Sequence, residues 1–233
     1  MNTKTSKVLI FGFSGQLATA LRKRFTDATF LSRAQADLLH PESIEHVLNQ
    51  HKPKLIINAA AYTAVDLAEK EQDHARLVNV GAPGVMARWA AKHNAHLIHF
   101  STDYVFDGAA DHPYQEDEAK NPINFYGLTK SDGEDQILES KCSHQILRVS
   151  CVYSPWGKNF VKTMLKLGCE KEELKIVADQ VGAPTSAEDI AEVVAQISKQ
   201  PEKNGIFHYC GQGEVSWHGF AEEIFRQARA MGY

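Results

Sequence analysis

The stretch VLIFGFSGQLATALRKRF, residues 8–25, decides the fold. Its first four residues form an aliphatic run short enough to be one fully buried strand. Gly12 and Gly15 then frame a turn, and apolar residues recur at helical spacing over 15–25. Glycines at a strand-to-helix turn let the backbone approach a pyrophosphate, whose charge meets the free amides of the helix N-terminus. A second glycine pair, GAPG at 81–84, follows no buried strand. Only the first therefore predicts a dinucleotide loop.

Outward from this unit the pattern repeats. LIIN (55–58), HLIHF (96–100) and QILRV (145–149) are further apolar runs, with ATFL (28–31) as an apparent second strand. Helical spacing covers 41–50, 66–93 and 124–140. Alternation of this kind predicts an α/β fold, a Rossmann-type doubly wound parallel sheet with right-handed crossovers and helices on both faces. No internal repeat or low-complexity linker interrupts it.

Composition narrows the function. With 233 residues, 43% of them hydrophobic and 23% charged, the chain can build a full core. The net charge of -4 and the absence of a Lys/Arg-rich run argue against a nucleic-acid binder and for small-molecule chemistry. Cys142, Cys151, Cys169 and Cys210 form no C-x-x-C pair and read as free thiols. The N-terminal apolar run is too short for a signal peptide, and no stretch suits a membrane span, so a reducing cytoplasm is the expected location. His93, His96 and His99 have metal-like spacing, but on a strand His96 and His99 point to opposite faces. They read as scattered polar histidines, and the acidic stretch 66–73 reads as a solvated helix face; no metal site is expected.

In this fold, cofactor choice is written after the second strand. There Ser32 and Arg33 stand where a carboxylate would otherwise accept the adenosine ribose, so Arg33 favours NADPH, with Asp37 downstream as a second candidate for the adenosine. Ala59, Ala60 and Ala61 after the third strand let backbone lie close to a cofactor. The fourth strand ends in FSTDYVFDG, which brings Thr102 and Asp103 to the carboxyl edge of the sheet, where open α/β sheets place their sites. NPINFYGLTK (121–130) then sets Tyr126 and Lys130 one helical turn apart on the same face. Tyr-x-x-x-Lys alone is common by chance. After a nucleotide loop and a hydroxyl, the pair reads as chemistry.

These residues resemble the extended short-chain dehydrogenase/reductases, and among them the branch that reduces 4-keto dTDP-sugars. The stretches that carry the resemblance are GFSGQLA, NAAAYTAVDLAEKEQDHARLVN, STDYVFDG, NPINFYGLTK, LRVSCVYSPWGKNFVKTML, VADQVGAPT and GEVSWHGFAEEIF. It implies reduction of the C4 ketone of dTDP-4-dehydro-6-deoxy-L-mannose to dTDP-L-rhamnose, with NADPH or NADH as cofactor and Mg2+ dependence left open. Tyr126 would give the proton, Lys130 would acidify the phenol and hold the nicotinamide ribose, and Thr102 would orient the carbonyl oxygen. The resemblance puts the phosphate loop on Gly12, Gly15, Gln16 and Leu17, and the adenosine contacts on Ser32, Arg33, Asp37 and Leu38. Ala61, Tyr62 and Thr63 fall near the nicotinamide half, and Asp103 and Cys151 beside the sugar. It also implies a dinucleotide domain over 1–150, with 178–203 packing back on it, and a smaller nucleotide-sugar lobe from 151–177 and 204–233; a homodimer is left open, and no nucleic-acid or membrane partner is expected.

Three departures from the family pattern stand out. Cys151 occupies a position where the family often has Trp against the sugar, and a thiol lacks that stacking area. Ala18 replaces a frequent glycine. The sequence ends at Tyr233, before the Pro- and Arg-containing tail that completes the substrate lobe in relatives, so an incomplete C-terminal lobe is expected. Two other functions therefore stay open: a cofactor-binding regulatory subunit, like the β subunit of methionine adenosyltransferase, and a nucleotide-sugar epimerase or dehydratase.

Overall fold

A computed structural model describes residues 7–232. Five apolar runs become parallel strands: β1 (Val8–Phe11), β2 (Thr29–Leu31), β3 (Leu55–Asn58), β4 (His96–Thr102) and β5 (Ser143–Val149). A later strand joins them. With the short strands β6 (Val152–Tyr153), β7 (Val181–Gly182) and β8 (Thr185–Ser186) intervening, it is β9 (Gly205–Tyr209), and the six-stranded order is β2-β1-β3-β4-β5-β9. Every pairing in this sheet is parallel. The chain runs outward from β1 to β2, then returns to the other side of β1 as β3. That reversal opens a crevice at the carboxyl ends of β1 and β3, the place where such sheets bind ligands.

Helices cover both faces, as buried strands with continuous apolar runs require. On one face α1 (Gln16–Arg22) packs with α8 (Ala187–Ile197), burying Leu21, Ile190 and Val194 against Ile10, Ile57 and Ile98. On the other, α2 (Pro41–His51), α5 (Ala82–His93) and α6 (Phe125–Ser140) bury Ile44, Met86 and Ile137 against Leu9, Ile56 and Leu97. A third, smaller cluster joins α7 (Phe160–Glu170) to α9 (Trp217–Ala230) around Met164, Ala221 and Ile224. Beside it, β10 (Val215–Ser216) pairs antiparallel with β7. Among the described residues no helix is long and apolar enough to cross a membrane.

Two features differ from the sequence-based expectation. The helical pattern over 66–93 is broken into α3 (Val65–Ala68), α4 (Gln72–Arg76), a π-helical turn (Leu77–Gly81) and α5. The π turn carries the buried Asn79, a break in helical register that apolar periodicity does not show. The expected lobe segment 204–233 also begins with β9, which pairs with β5 in the main sheet, so only the chain beyond Tyr209 joins the α7–α9 cluster.

Candidate active site

The loop after β1 shows why its glycines are there. Gly12 has φ 122°, and a Cβ on it would meet the Ala59 carbonyl oxygen at 3.1 Å. Its N–H donates to Leu31 O at 3.1 Å, which ties the turn to β2. A Cβ on Gly15 would meet nothing within 4 Å, so at that position the backbone borders open space. Among the described residues no side chain caps α1. Its first-turn amides thus face the crevice as a ready site for a pyrophosphate, and this cradle fits a dinucleotide. Gln16 borders the same crevice. Its Oε1 accepts from Ser154 Oγ at 2.8 Å and from Asn159 Nδ2 at 2.9 Å, so its side chain fastens the loop to the segment leading into α7.

At the far end of the crevice, Arg33 is largely exposed and its Nε lies 3.3 Å from Asp37 Oδ2. Ser32 Oγ donates to Gln35 Oε1 at 2.8 Å. For Asp37 burial works upward, but the Leu39 amide and the Arg33 guanidinium outweigh it and hold the carboxyl below its ordinary range. Leu38 is buried beside these groups. A guanidinium and a hydroxyl here suit a 2′-phosphate, and Asp37 is their internal competitor.

The small-residue loop after β3 is held by Asn79. Asn79 Oδ1 accepts from Tyr62 N at 2.9 Å, and its Nδ2 donates to Tyr62 O at 3.0 Å and Thr129 Oγ1 at 3.1 Å. One buried amide therefore ties the backbone of Tyr62 to the helix that carries Tyr126. Nothing in the local sequence around Asn79 signals this, since its partners lie 17 and 50 residues away.

Thr102 ends β4 and caps the 3-10 turn Asp103–Val105, accepting from Tyr104 N at 3.2 Å. Its hydroxyl donates to Asp103 Oδ1 at 3.0 Å, and Asp103 Oδ2 accepts from Ser150 Oγ at 2.6 Å. Asn124 caps α6 by accepting from Gly127 N at 2.7 Å, which starts the helix one residue before Tyr126. Lys130, one turn on, is fully buried. Its Nζ donates to Phe100 O at 2.6 Å and lies 3.2 Å from His99 Nε2.

The acid–base balance of the pair differs from the expected acidified phenol. Burial pushes the Tyr126 hydroxyl well above its ordinary range; a hydrogen bond with Thr102 works against this, while Asp103 and Tyr104 add to it. Burial likewise lowers the Lys130 ammonium to about 8, opposed by Glu134. Desolvation acts alike on both groups, disfavouring the charged form of each. A phenol held protonated is a loaded proton donor at neutral pH.

The site residues expected from the sequence line one cavity of about 1020 Å³. Gly12, Gly15, Gln16, Leu17, Ser32, Arg33, Asp37 and Leu38 form one end; Ala61, Tyr62 and Thr63 the middle; Thr102, Asp103, Tyr126, Lys130 and Cys151 the other. Cys151 has φ 46°, and burial raises its thiol pKa. Trp217 from α9 lines the cavity as well. Trp156 instead packs on the α1–α8 side, with the Lys23 ammonium 4.8 Å over its ring. Among the described residues no group of three or more His, Cys, Asp or Glu could hold a metal ion. Of the three spaced histidines, His93 stacks on Trp89, His96 bonds Ser143 and Gln145, and His99 bonds Asn58 and Lys130.

The chain matches the family model for the RmlD substrate binding domain over residues 6–232. It is 39% identical to a dTDP-4-dehydrorhamnose reductase of Burkholderia thailandensis, across 97% of this chain and 79% of that protein. The structure of a dTDP-4-dehydrorhamnose reductase from Clostridium acetobutylicum superposes with a TM-score of 0.91 at 38% identity, covering 95% of this chain and 80% of the other. That of the Bacillus anthracis enzyme, solved in complex with NADP, gives the same TM-score and coverage at 36% identity. The chain belongs to the RmlD substrate binding domain family.

Proposed function

We propose that this protein is an NADPH-dependent oxidoreductase that reduces the C4 ketone of dTDP-4-dehydro-6-deoxy-L-mannose to dTDP-L-rhamnose. The observation that carries this reading is a single cavity with the Gly12–Gly15 cradle and Arg33 at one end and Thr102, Tyr126 and Lys130 at the other. The reductases it resembles, one of them in complex with NADP, supply the substrate and the cofactor. Bound NADPH supplies the hydride.

The chain's own groups do the rest. Tyr126 gives its proton to the ketone oxygen as charge develops there, a contribution of about 10² to 10⁴ in rate. Lys130, still largely protonated at neutral pH, offsets the negative charge left on the phenol oxygen. Thr102 holds the ketone oxygen against Tyr126, while Asp103 and Cys151 border the sugar. The α7–α9 lobe, fastened to the phosphate loop through Gln16, closes over the nucleotide of the sugar. Four cysteines without a disulfide and a net charge of -4 suit a cytoplasmic enzyme with no nucleic-acid partner.

The test is to mix the purified chain with the 4-keto dTDP-sugar and NADPH, follow cofactor oxidation and identify the sugar formed. Stoichiometric NADPH loss with dTDP-L-rhamnose as product is expected. Tight NADPH binding without reduction would point to a regulatory subunit, and a retained NAD that cycles without net consumption to an epimerase; neither is favoured.

A further inference from the structure

Behind the ammonium of Lys130 lies a polar chain that the reduction does not itself call for. His99 is buried at 1% exposure in β4, and Asn58 at 1% ends β3 beside it, paired across the two strands in register. Asn58 Nδ2 is 3.1 Å from His99 Nδ1, and His99 Nε2 is 3.2 Å from Lys130 Nζ. Buried polar groups in a sheet interior persist only when their hydrogen bonds are complete.

The donors and acceptors can be assigned from one end. Ala60 N donates to Asn58 Oδ1 at 3.3 Å, and only an oxygen can accept it. The Asn58 amide nitrogen therefore faces His99 and donates to Nδ1. A neutral imidazole carries a single N–H, so the proton sits on Nε2, aimed at Lys130. His99 is itself held neutral, because burial and then the neighbouring Lys130 charge push its pKa well down. An imidazole N–H can bond to an amine lone pair but not to an ammonium, which has only donors.

We propose that His99, its tautomer fixed by Asn58, is a positioning residue for Lys130 that stabilises the uncharged amine while Phe100 O holds the nitrogen in place. Lys130 is thereby kept as a group that gains and loses a proton near neutral pH, rather than a fixed cation. Burial also disfavours the ammonium, and this contact adds to it among the following charged neighbours. Within α6, Glu134 favours the ammonium, and its carboxylate is committed to Arg148 of β5 at 2.8 Å. Asp103 and Tyr104 of the 3-10 turn act on Tyr126, Arg76 of α4 pairs with Asp132, and Asp66 of α3 acts on Tyr104. Arg88, Lys92 and His93 of α5 are exposed.

The consequence for turnover rests on the reductase reading above; the tautomer and the titration do not. Nitrogen-15 NMR of histidine-labelled protein, with the His99 signals identified by their loss in His99→Gln, should show the Nε2–H tautomer. Titration of the lysine Nζ signals, with Lys130 identified through Lys130→Met, should place its midpoint higher in His99→Gln, whose amide oxygen can accept from an ammonium. An upward shift of about one pH unit is expected, the equivalent of one hydrogen bond. An Nδ1–H tautomer in the unsubstituted protein overturns the proposal, and so does an unmoved Lys130 midpoint in folded His99→Gln. Should that variant not fold, the tautomer measurement alone decides.

Discussion

Arg33 and Asp37 form an ion pair, Nε to Oδ2 at 3.3 Å, at the end of the cavity where the second strand releases the chain. The guanidinium available to a 2′-phosphate is thus already shared with a carboxylate. Exposed pairs of this kind are worth about 0.2 to 1 kcal/mol. Asp37→Asn should therefore raise the NADPH-to-NADH preference by up to about fivefold, and Arg33→Glu should move it toward NADH. Ratios of kcat/KM for the two cofactors measure this directly, and an unchanged ratio in both variants removes the pair from cofactor choice.

Tyr126 is half-buried, its hydroxyl is held protonated, and it lies one helical turn from Lys130. Tyr126→Phe deletes the proton donor while keeping the ring, so kcat should fall by about 10² to 10⁴. Cofactor affinity, read by NADPH fluorescence titration, should change little. Normal turnover by the variant would refute the assignment.

The low proton affinity of Lys130 gives the reaction an alkaline limit. The charged form is the one that offsets the developing phenolate, and it is lost as pH rises through about 8. The kcat/KM of reduction should accordingly decline above pH 8 with the slope of a single group, and a profile flat to pH 10 would contradict it (about 10 being the free lysine value).

Much of this site was legible in the sequence because its signals are local. Gly12 and Gly15 follow a strand directly, Thr102 ends one, and Tyr126 and Lys130 share a helix face by spacing alone. Other parts depend on contacts between distant segments. Asn79 and His99 act on partners 50 and 31 residues away, and each looks like an ordinary polar residue in an apolar run. The strand β9 was hidden for a related reason: GIFHY is short and only half buried, and it is recruited by pairing with β5 rather than by its own pattern. The direction of the Tyr126 shift also escaped, since spacing shows which charge is near but not how dry the place is.

Glu134 and Arg148 make a bidentate pair at 2.9 and 2.8 Å, both side chains almost fully buried. For Glu134 burial raises the pKa, but Arg148 outweighs it, leaving the carboxyl below its ordinary 4.5. A depressed carboxylate contributes stability that is present above its unfolded pKa and is lost as pH falls below about 4.5. Glu134→Gln leaves the guanidinium buried without its counter-charge and should cost about 3 kcal/mol in urea unfolding at pH 7. That deficit should shrink as the pH is lowered through 4, since the parent then loses the same carboxylate; an equal deficit at both pH values would assign it to packing instead.

Gly127 sits between Tyr126 and the turn that follows Thr102. A Cβ there would overlap the Tyr104 carbonyl oxygen and press on Pro122. Backbone cannot yield as a flexible side chain does, so Gly127→Ala must part α6 from the 3-10 turn. A cost of about 1 to 3 kcal/mol in stability is expected for overpacking at such a contact. The same displacement separates Tyr126 from Thr102, because the turn that would move is the one Thr102 caps. The variant should therefore lose kcat beyond what its remaining folded fraction explains, while NADPH binding at the Gly12–Gly15 end persists. Stability loss with unaltered kcat per folded molecule would show that Tyr126 and Thr102 need no fixed spacing.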